Sequence, residues 1–147
     1  MGNVYSVEYT AIHRTTPPTV QNACLYGSRV RCMFCSYEAL SLASGSVIYM
    51  AQLRPAHAVL PMSLLTADAL GSGVTLAVGD YYADSNSTDD PDRYLAAVAY
   101  NSAGQSKNLD ALTGIGYTLT HEADIIVVTG GAEGSGTIEL CLLYSGA

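Results

Sequence analysis

Four cysteines, three histidines and a run of aspartates are the residues of this chain best suited to chemistry. Cys32-Met33-Phe34-Cys35 has the spacing of half a zinc knuckle, and Cys24 and Cys141 are the remaining thiols. A tetrahedral site needs a second such pair, and none follows. Cys32 stands in a strand-like run, Val30-Arg31-Cys32-Met33-Phe34, where a buried thiol acts as a small hydrophobe. The expectation is therefore free structural thiols, with a disulfide as the alternative. Asp84, Asn86, Thr88 and Asp90 alternate like the oxygen ligands of a calcium loop. Asp89, however, stands where such a loop needs Gly, and Leu95 where it needs Glu.

Catalytic groupings fail in the same way. His13, His57 and His121 are isolated in sequence, whereas a metal-dependent enzyme on a β-scaffold calls for several His and a Glu at short spacing. No Gly-x-Ser-x-Gly elbow occurs, and Gly134-Ser135-Gly136 has neither its spacing nor a strand-to-helix setting. Gly114-Ile115-Gly116 lacks the third glycine and the following helix of a nucleotide site. The reading is a chain with no catalytic residues, no metal and no cofactor, hence not an enzyme. A site assembled only in three dimensions is a further alternative.

The elements that would position these residues read as β-structure. The chain opens with an extended arm over 1–21, whose alternation from Val4 to Tyr9 suits an edge strand and which loses regularity through Thr15-Thr16-Pro17-Pro18. A single domain over 22–147 follows. Strands are expected over Val20–Tyr26, Arg29–Tyr37, Val47–Leu53, Ala56–Leu60 and Val74–Val78, and a short turn or strand over Leu64–Leu70. Val74, Leu76 and Val78 should fill a core, and Asp80 should open a solvent-facing loop. Asp89-Asp90-Pro91-Asp92 carries a helix-start signature, an Asp cap with Pro in the first turn, and predicts a short helix near residues 91–100. Strands over Ile115–Thr120, Ile125–Thr129 and Thr137–Tyr144 close the chain, the last two read as a hairpin around the Gly-rich segment 130–136. About eight strands and one helix make an all-β, jelly-roll-like β-sandwich the expected fold.

Composition narrows the function classes. Of 147 residues 49% are hydrophobic and only 13% charged, with 11 Tyr, one Phe and no Trp. Nineteen charged side chains (6 basic, 13 acidic) cover thinly the roughly 7,000 Å² that a folded monomer of this size exposes, so association is expected. A formal charge of −7 from only 6 Lys and Arg argues against nucleic-acid binding. No apolar run approaches the roughly 20 residues of a membrane helix, and no secretory leader is visible. The N-terminal pattern for myristoylation and the acceptor pattern Asn86-Ser87-Thr88 are permissive matches, and the latter reads as a polar loop. Basic residues gather early, at Arg14, Arg29, Arg31 and Arg54, and acids later, at Asp80, Asp84, Asp89, Asp90 and Asp92. That asymmetry allows one basic and one acidic docking face.

An ordered series of motifs carries a resemblance. Leu60-Pro61, Thr66-Ala67-Asp68-Ala69-Leu70-Gly71, Val74-Thr75-Leu76-Ala77-Val78-Gly79-Asp80, Asp92-Arg93-Tyr94-Leu95-Ala96-Ala97 and Gly136-Thr137-Ile138-Glu139-Leu140 together resemble the head decoration, or cement, proteins of tailed bacteriophages. The likeness runs roughly from Val47 to the C-terminal end. It implies a jelly-roll subunit, dimeric or trimeric, that is made in the host cytoplasm and sits on the outer capsid surface. There it would clamp neighbouring major capsid proteins without touching nucleic acid or membrane. Tyr5, Val7 and Tyr9 of the arm would be anchors, and Arg29, Arg31 or Arg54 would meet acidic capsid surface. The alternative is a carbohydrate- or receptor-binding β-module of a phage tail or fibre, with Tyr81-Tyr82 as a possible sugar platform in a chain without Trp.

Overall fold

The computed structural model describes residues 16–17, 29–84, 87–102 and 104–146. Apart from 16–17, the arm lies outside the described residues. So do Tyr5, Val7, Tyr9, Cys24 and the strand expected over 20–26. The described chain forms β1 (Arg29–Leu42), β2 (Val47–Leu53), β3 (Ala58–Val59), β4 (Leu64–Ala67), β5 (Thr75–Tyr82), β6 (Asp90–Ala99), β7 (Gln105–Asn108), β8 (Ala123–Gly130) and β9 (Gly134–Gly146). One sheet runs β1-β9-β4-β7 with β3 also on β9, and the other runs β2-β8-β5-β6. The pairings within both sheets are antiparallel. Successive strands switch sheets repeatedly; β5 and β6 follow one another as paired neighbours, and β3 and β4 share a sheet by each pairing with β9. With β3 a brief addition, this is the strand order of an eight-stranded jelly roll.

The core fills the space between the sheets. Leu53, Leu76, Val78, Ile125 and Val127 face it from one side, and Leu65, Ile138, Leu140 and Leu142 from the other, all at 1% exposure or less. Val74 and Leu76 therefore pack as their alternation predicts. Ile126, whose side chain points to the opposite side of β8, is fully buried as well, in keeping with the unbroken apolar run Ile125–Val128. Two hydroxyls inside the seam are bonded: Tyr100 donates to the Leu65 carbonyl at 3.1 Å, and Ser63 Oγ exchanges bonds with the Leu143 N–H and carbonyl at 2.8 and 2.9 Å.

Three local expectations are corrected, and one strand is added to those expected. Residues 91–100 form strand β6, and no helix occurs among the described residues. β6 is an edge strand, so Pro91 removes no needed ladder bond, and the acidic Pro-containing start that would cap a helix serves equally well to open an edge. The segment 115–120 is a turn ending in a single bridge from Thr118 to Ala58. This turn is held from outside itself: Ala111 N–H donates to the Tyr94 carbonyl at 3.1 Å and Thr113 Oγ1 to the Arg93 carbonyl at 2.7 Å. The last two strands are not a hairpin either. β8 and β9 lie in different sheets, and Gly131-Ala132-Glu133 is the crossover between them, with Gly131 at φ 76° packed onto the Gly73 carbonyl. Finally, the polar stretch 105–108 pairs as edge strand β7.

The β5–β6 ladder is strongly bulged. Between the pairs Val78↔Leu95 and Asp80↔Asp90, β5 advances two residues while β6 advances five. The surplus arches over Gly79, where a Cβ would fall inside the backbone of Asp90 and Pro91. Gly79→Ala is expected to cost about 3 kcal/mol by overpacking, read as a lowered urea midpoint, whereas Gly45→Ala, where a Cβ meets nothing within 4 Å, should cost less despite its positive φ.

Candidate functional site

Asp80 is the least expected residue of the structure. It faces inward from β5 and is fully buried, where the sequence pointed to a solvent-facing loop. An isolated carboxylate is very costly there, and the β6 bulge supplies its partners. Arg93 Nε donates to Asp80 Oδ2 at 2.6 Å and Tyr94 Oη donates to the same oxygen at 2.9 Å. Arg93 also contacts Asp90 Oδ2 at 3.5 Å and the Thr88 carbonyl at 3.3 Å, and its guanidinium lies 3.9 Å from the centre of the Tyr117 ring. Tyr117 and Tyr82 share a hydroxyl bond of 2.6 Å. Burial raises the Asp80 carboxyl above its usual range against the pull of Arg93 and Tyr94. Burial also pushes the Tyr94 phenol up, and takes Tyr117 to about 12. The groups that could move a proton are thus locked to each other.

Beside this cluster an open depression of about 480 Å³ is lined by Thr88, Asp90, Tyr117 and His121 among others. Ser87 Oγ lies 2.7 Å from His121 Nδ1, and His121 Nε2 lies 3.5 Å from Asp84 Oδ2. A hydroxyl, an imidazole and a carboxylate therefore do converge, as spacing alone did not foretell. The His121 side chain is 50% exposed, its Nδ1 is also within 3.2 Å of Thr120 Oγ1, and the carboxylate contact is long for an orienting hydrogen bond. The arrangement pins the 84–90 loop to the 120–122 corner. Among the described residues no group of three or more His, Cys, Asp and Glu is placed to hold a metal ion.

A second concavity gathers the basic residues. Arg31 of β1, Arg54 and His57 from the β2–β3 connection, Gln52 and Tyr144 surround an open space of about 540 Å³. Two of the three arginines singled out by sequence, Arg31 and Arg54, line it. Arg29 opens β1 opposite Gly146 and does not. His57 is the member that sequence reasoning passed over, because only the fold carries it to Arg31. The imidazole is held on three sides: Nδ1 accepts from the Arg54 N–H at 3.4 Å, the ring packs on Tyr144 with centroids 5.2 Å apart, and Gly146 closes on it so tightly that a Cβ there would overlap the ring. Burial lowers the His57 pKa, and the charges of Arg31 and Arg54 lower it further. No carboxylate pairs with Arg31 or Arg54 among the described residues. Among the described residues like charges are therefore held together here, an arrangement that an anion would relieve.

The charge asymmetry of the sequence does not become two opposed faces. Leu53, Ala123 and Tyr82 are ladder neighbours, which puts the loops after β2 and after β5 at one end of the sandwich. The start of β1 and the end of β9 pair beside β3. Basic pocket and acidic loop are thus side by side. The sugar platform is not formed as expected: Tyr82 is buried at 8% exposure, and Tyr81 meets Tyr49 edge-on at 6.4 Å. On the outer side of the first sheet, Val30 and Phe34 are exposed at 62% and 82%, and Phe34, Leu64, Thr66 and Cys141 border a groove of about 240 Å³. The outer edge of β1 has no partner strand among the described residues.

The jelly-roll order has close parallels among solved structures. A chain in the capsid of Ralstonia phage GP4 superposes with a TM-score of 0.67 at 19% identity, over 88% of this chain and 90% of that one. A chain of the cyanophage Pam1 capsid asymmetric unit gives 0.62 at 22% identity, over 82% and 86%. This chain has the fold of these capsid components. No protein-family model and no curated protein matches it.

Removing Arg93 tests the electrostatic core. Arg93→Met should destabilise the protein by about 3–5 kcal/mol near pH 7, because it strands a buried carboxylate. With Arg93 gone, the Asp80 carboxyl loses two influences that lower its pKa and rises further above its unfolded value. The native state then binds the extra proton, so the variant should recover stability as pH falls from about 7 to about 5. Urea unfolding at both pH values measures this; an equal loss at each would contradict the assignment.

Proposed function

We propose that the chain is a structural virion protein that decorates and cements the outer surface of a bacteriophage capsid, stabilising contacts between major capsid proteins. The observation that carries the reading is the whole-length match to chains from two phage capsids, which leaves little of either chain unaligned. Supporting it are surfaces made for contact rather than turnover. β1 presents Val30, Phe34 and Leu40 along an open sheet edge, a geometry that can take an added strand from a neighbour. The Arg31, Arg54 and His57 pocket is cationic on a protein of net charge −7 and suits acidic capsid surface. Arg29 lies close enough in sequence to extend that basic patch. The arm, with Tyr5, Val7 and Tyr9, is proposed to cross a subunit boundary, and the working unit is proposed to be a homodimer or homotrimer.

Sedimentation of the purified protein with undecorated heads tests this. The wild-type chain should co-sediment at a saturating copy number comparable to that of the major capsid protein. Arg31→Glu with Arg54→Glu should weaken binding at least about ten-fold and reduce its sensitivity to salt. Below the usual His value of 6.5, protonation of His57 adds a positive charge to the pocket, so wild-type binding should tighten as pH falls. Deleting 1–18 should weaken binding while leaving a folded oligomer. Absence of binding to heads, with retention on host polysaccharide, would replace this reading by the tail-module alternative.

A further inference from the structure

Cys32 and Cys141 lie on the outer side of the first sheet, with their sulfurs 3.7 Å apart. The register explains the approach. Cys32 stands opposite Leu143 and Phe34 opposite Cys141, so the two cysteines are diagonal neighbours across the β1–β9 ladder. Cys35, three positions after Cys32, projects to the other side and packs against the core. The Cys-x-x-Cys spacing therefore cannot act as a pair, and the reactive partner of Cys32 comes from 109 residues away. Cys32 is exposed, contrary to the buried thiol expected from sequence, and Cys141 is half-buried beside the groove of Phe34 and Leu64.

We propose that Cys32 and Cys141 are an oxidisable pair that closes to a disulfide once the protein meets a small-molecule disulfide oxidant, stapling edge strand β1 to β9. The Cys32 thiolate attacks one sulfur of oxidised glutathione, forming a mixed disulfide and expelling one glutathione thiolate. The Cys141 thiolate then attacks the Cys32 sulfur and expels the second. Two protein thiols are oxidised, one glutathione disulfide is reduced to two thiols, and the two protons pass from protein to glutathione. Burial and the neighbouring Cys32 raise the Cys141 thiol, which suits it to the second, intramolecular step rather than to the first.

The sulfurs must close from 3.7 Å to about 2.05 Å. Among the described residues β1 pairs with β9 alone, so it lies at an edge of its sheet and has room to adjust. The pair stays reduced in a reducing cytoplasm and closes in an oxidising medium. A bond between residues so far apart in sequence restricts the unfolded chain strongly. It would also tie down a strand at the edge of the sheet.

The purified full chain, kept reduced and then incubated with oxidised glutathione, should yield one intramolecular Cys32–Cys141 cross-link by mass spectrometry of a non-reducing digest. Its Tm should rise by roughly 10 °C and return on adding dithiothreitol. Cys32→Ser and Cys141→Ser should each abolish both effects, while the double variant Cys24→Ser, Cys35→Ser should keep both. Separate glutathione adducts persisting at Cys32 and Cys141 in that double variant, a dominant bond to Cys24 or Cys35, a bond between chains, or a cross-link without a rise in Tm would each overturn the proposal.

Discussion

One buried negative charge organises the charged end of this molecule. Asp80 sits where an aliphatic residue would continue the pattern of Leu76 and Val78, and it is tolerable only because Arg93 and Tyr94 reach it. For both to reach, β6 must carry surplus residues at the level of Gly79, and Gly79 must have no side chain. Arg93, once fixed, is the surface on which Tyr117 lies, and Tyr117 in turn holds Tyr82. The backbone carbonyls of Arg93 and Tyr94 anchor the 111–117 turn. A single ion pair thus sets the bulge, the turn and the position of the loops that flank the acidic depression.

The opposite corner of the same end is organised by repulsion. Arg31, Arg54 and His57 converge without a described carboxylate partner, although acids outnumber bases by 13 to 6 in the chain. A protein with that surplus could neutralise them internally, as it does Arg93. Among the described residues no carboxylate offsets them, an arrangement open to an anionic group. The contrast between a satisfied arginine in the core and arginines without a described carboxylate partner in a concavity separates what holds the fold from what faces outward.

Much of the sandwich was legible because its strands carry their own signal. Val47–Leu53 was read with its observed bounds, and the core role of Val74, Leu76 and Val78 follows from alternation alone. What failed was whatever depends on a neighbour far along the chain. The Asp-Pro start of β6 looks the same whether it caps a helix or opens an edge, and only the Asp80 contact decides. A Gly-rich segment permits a tight hairpin and a crossover equally, and the sheet assignment of β8 and β9 is a property of the whole topology. β7, Gln-Ser-Lys-Asn, has no apolar alternation to detect because it lies at an edge. Of the residues that line the basic concavity, Arg31 and Arg54 stand out by type and position, while His57 and Tyr144 become legible only when β9 is laid beside β3.

That placement of β9 bears on how the molecule comes into being. β9 is the hub of its sheet, pairing with β1, β3 and β4, yet it is the most C-terminal strand of the fold. While the chain emerges from the ribosome, β1 cannot form its ladder with β9 until residue 146 is available to meet residue 29. Folding is therefore dominated by distant pairings, the slow regime for chains of this size. Truncation near the C-terminal end would remove the strand around which the other three assemble.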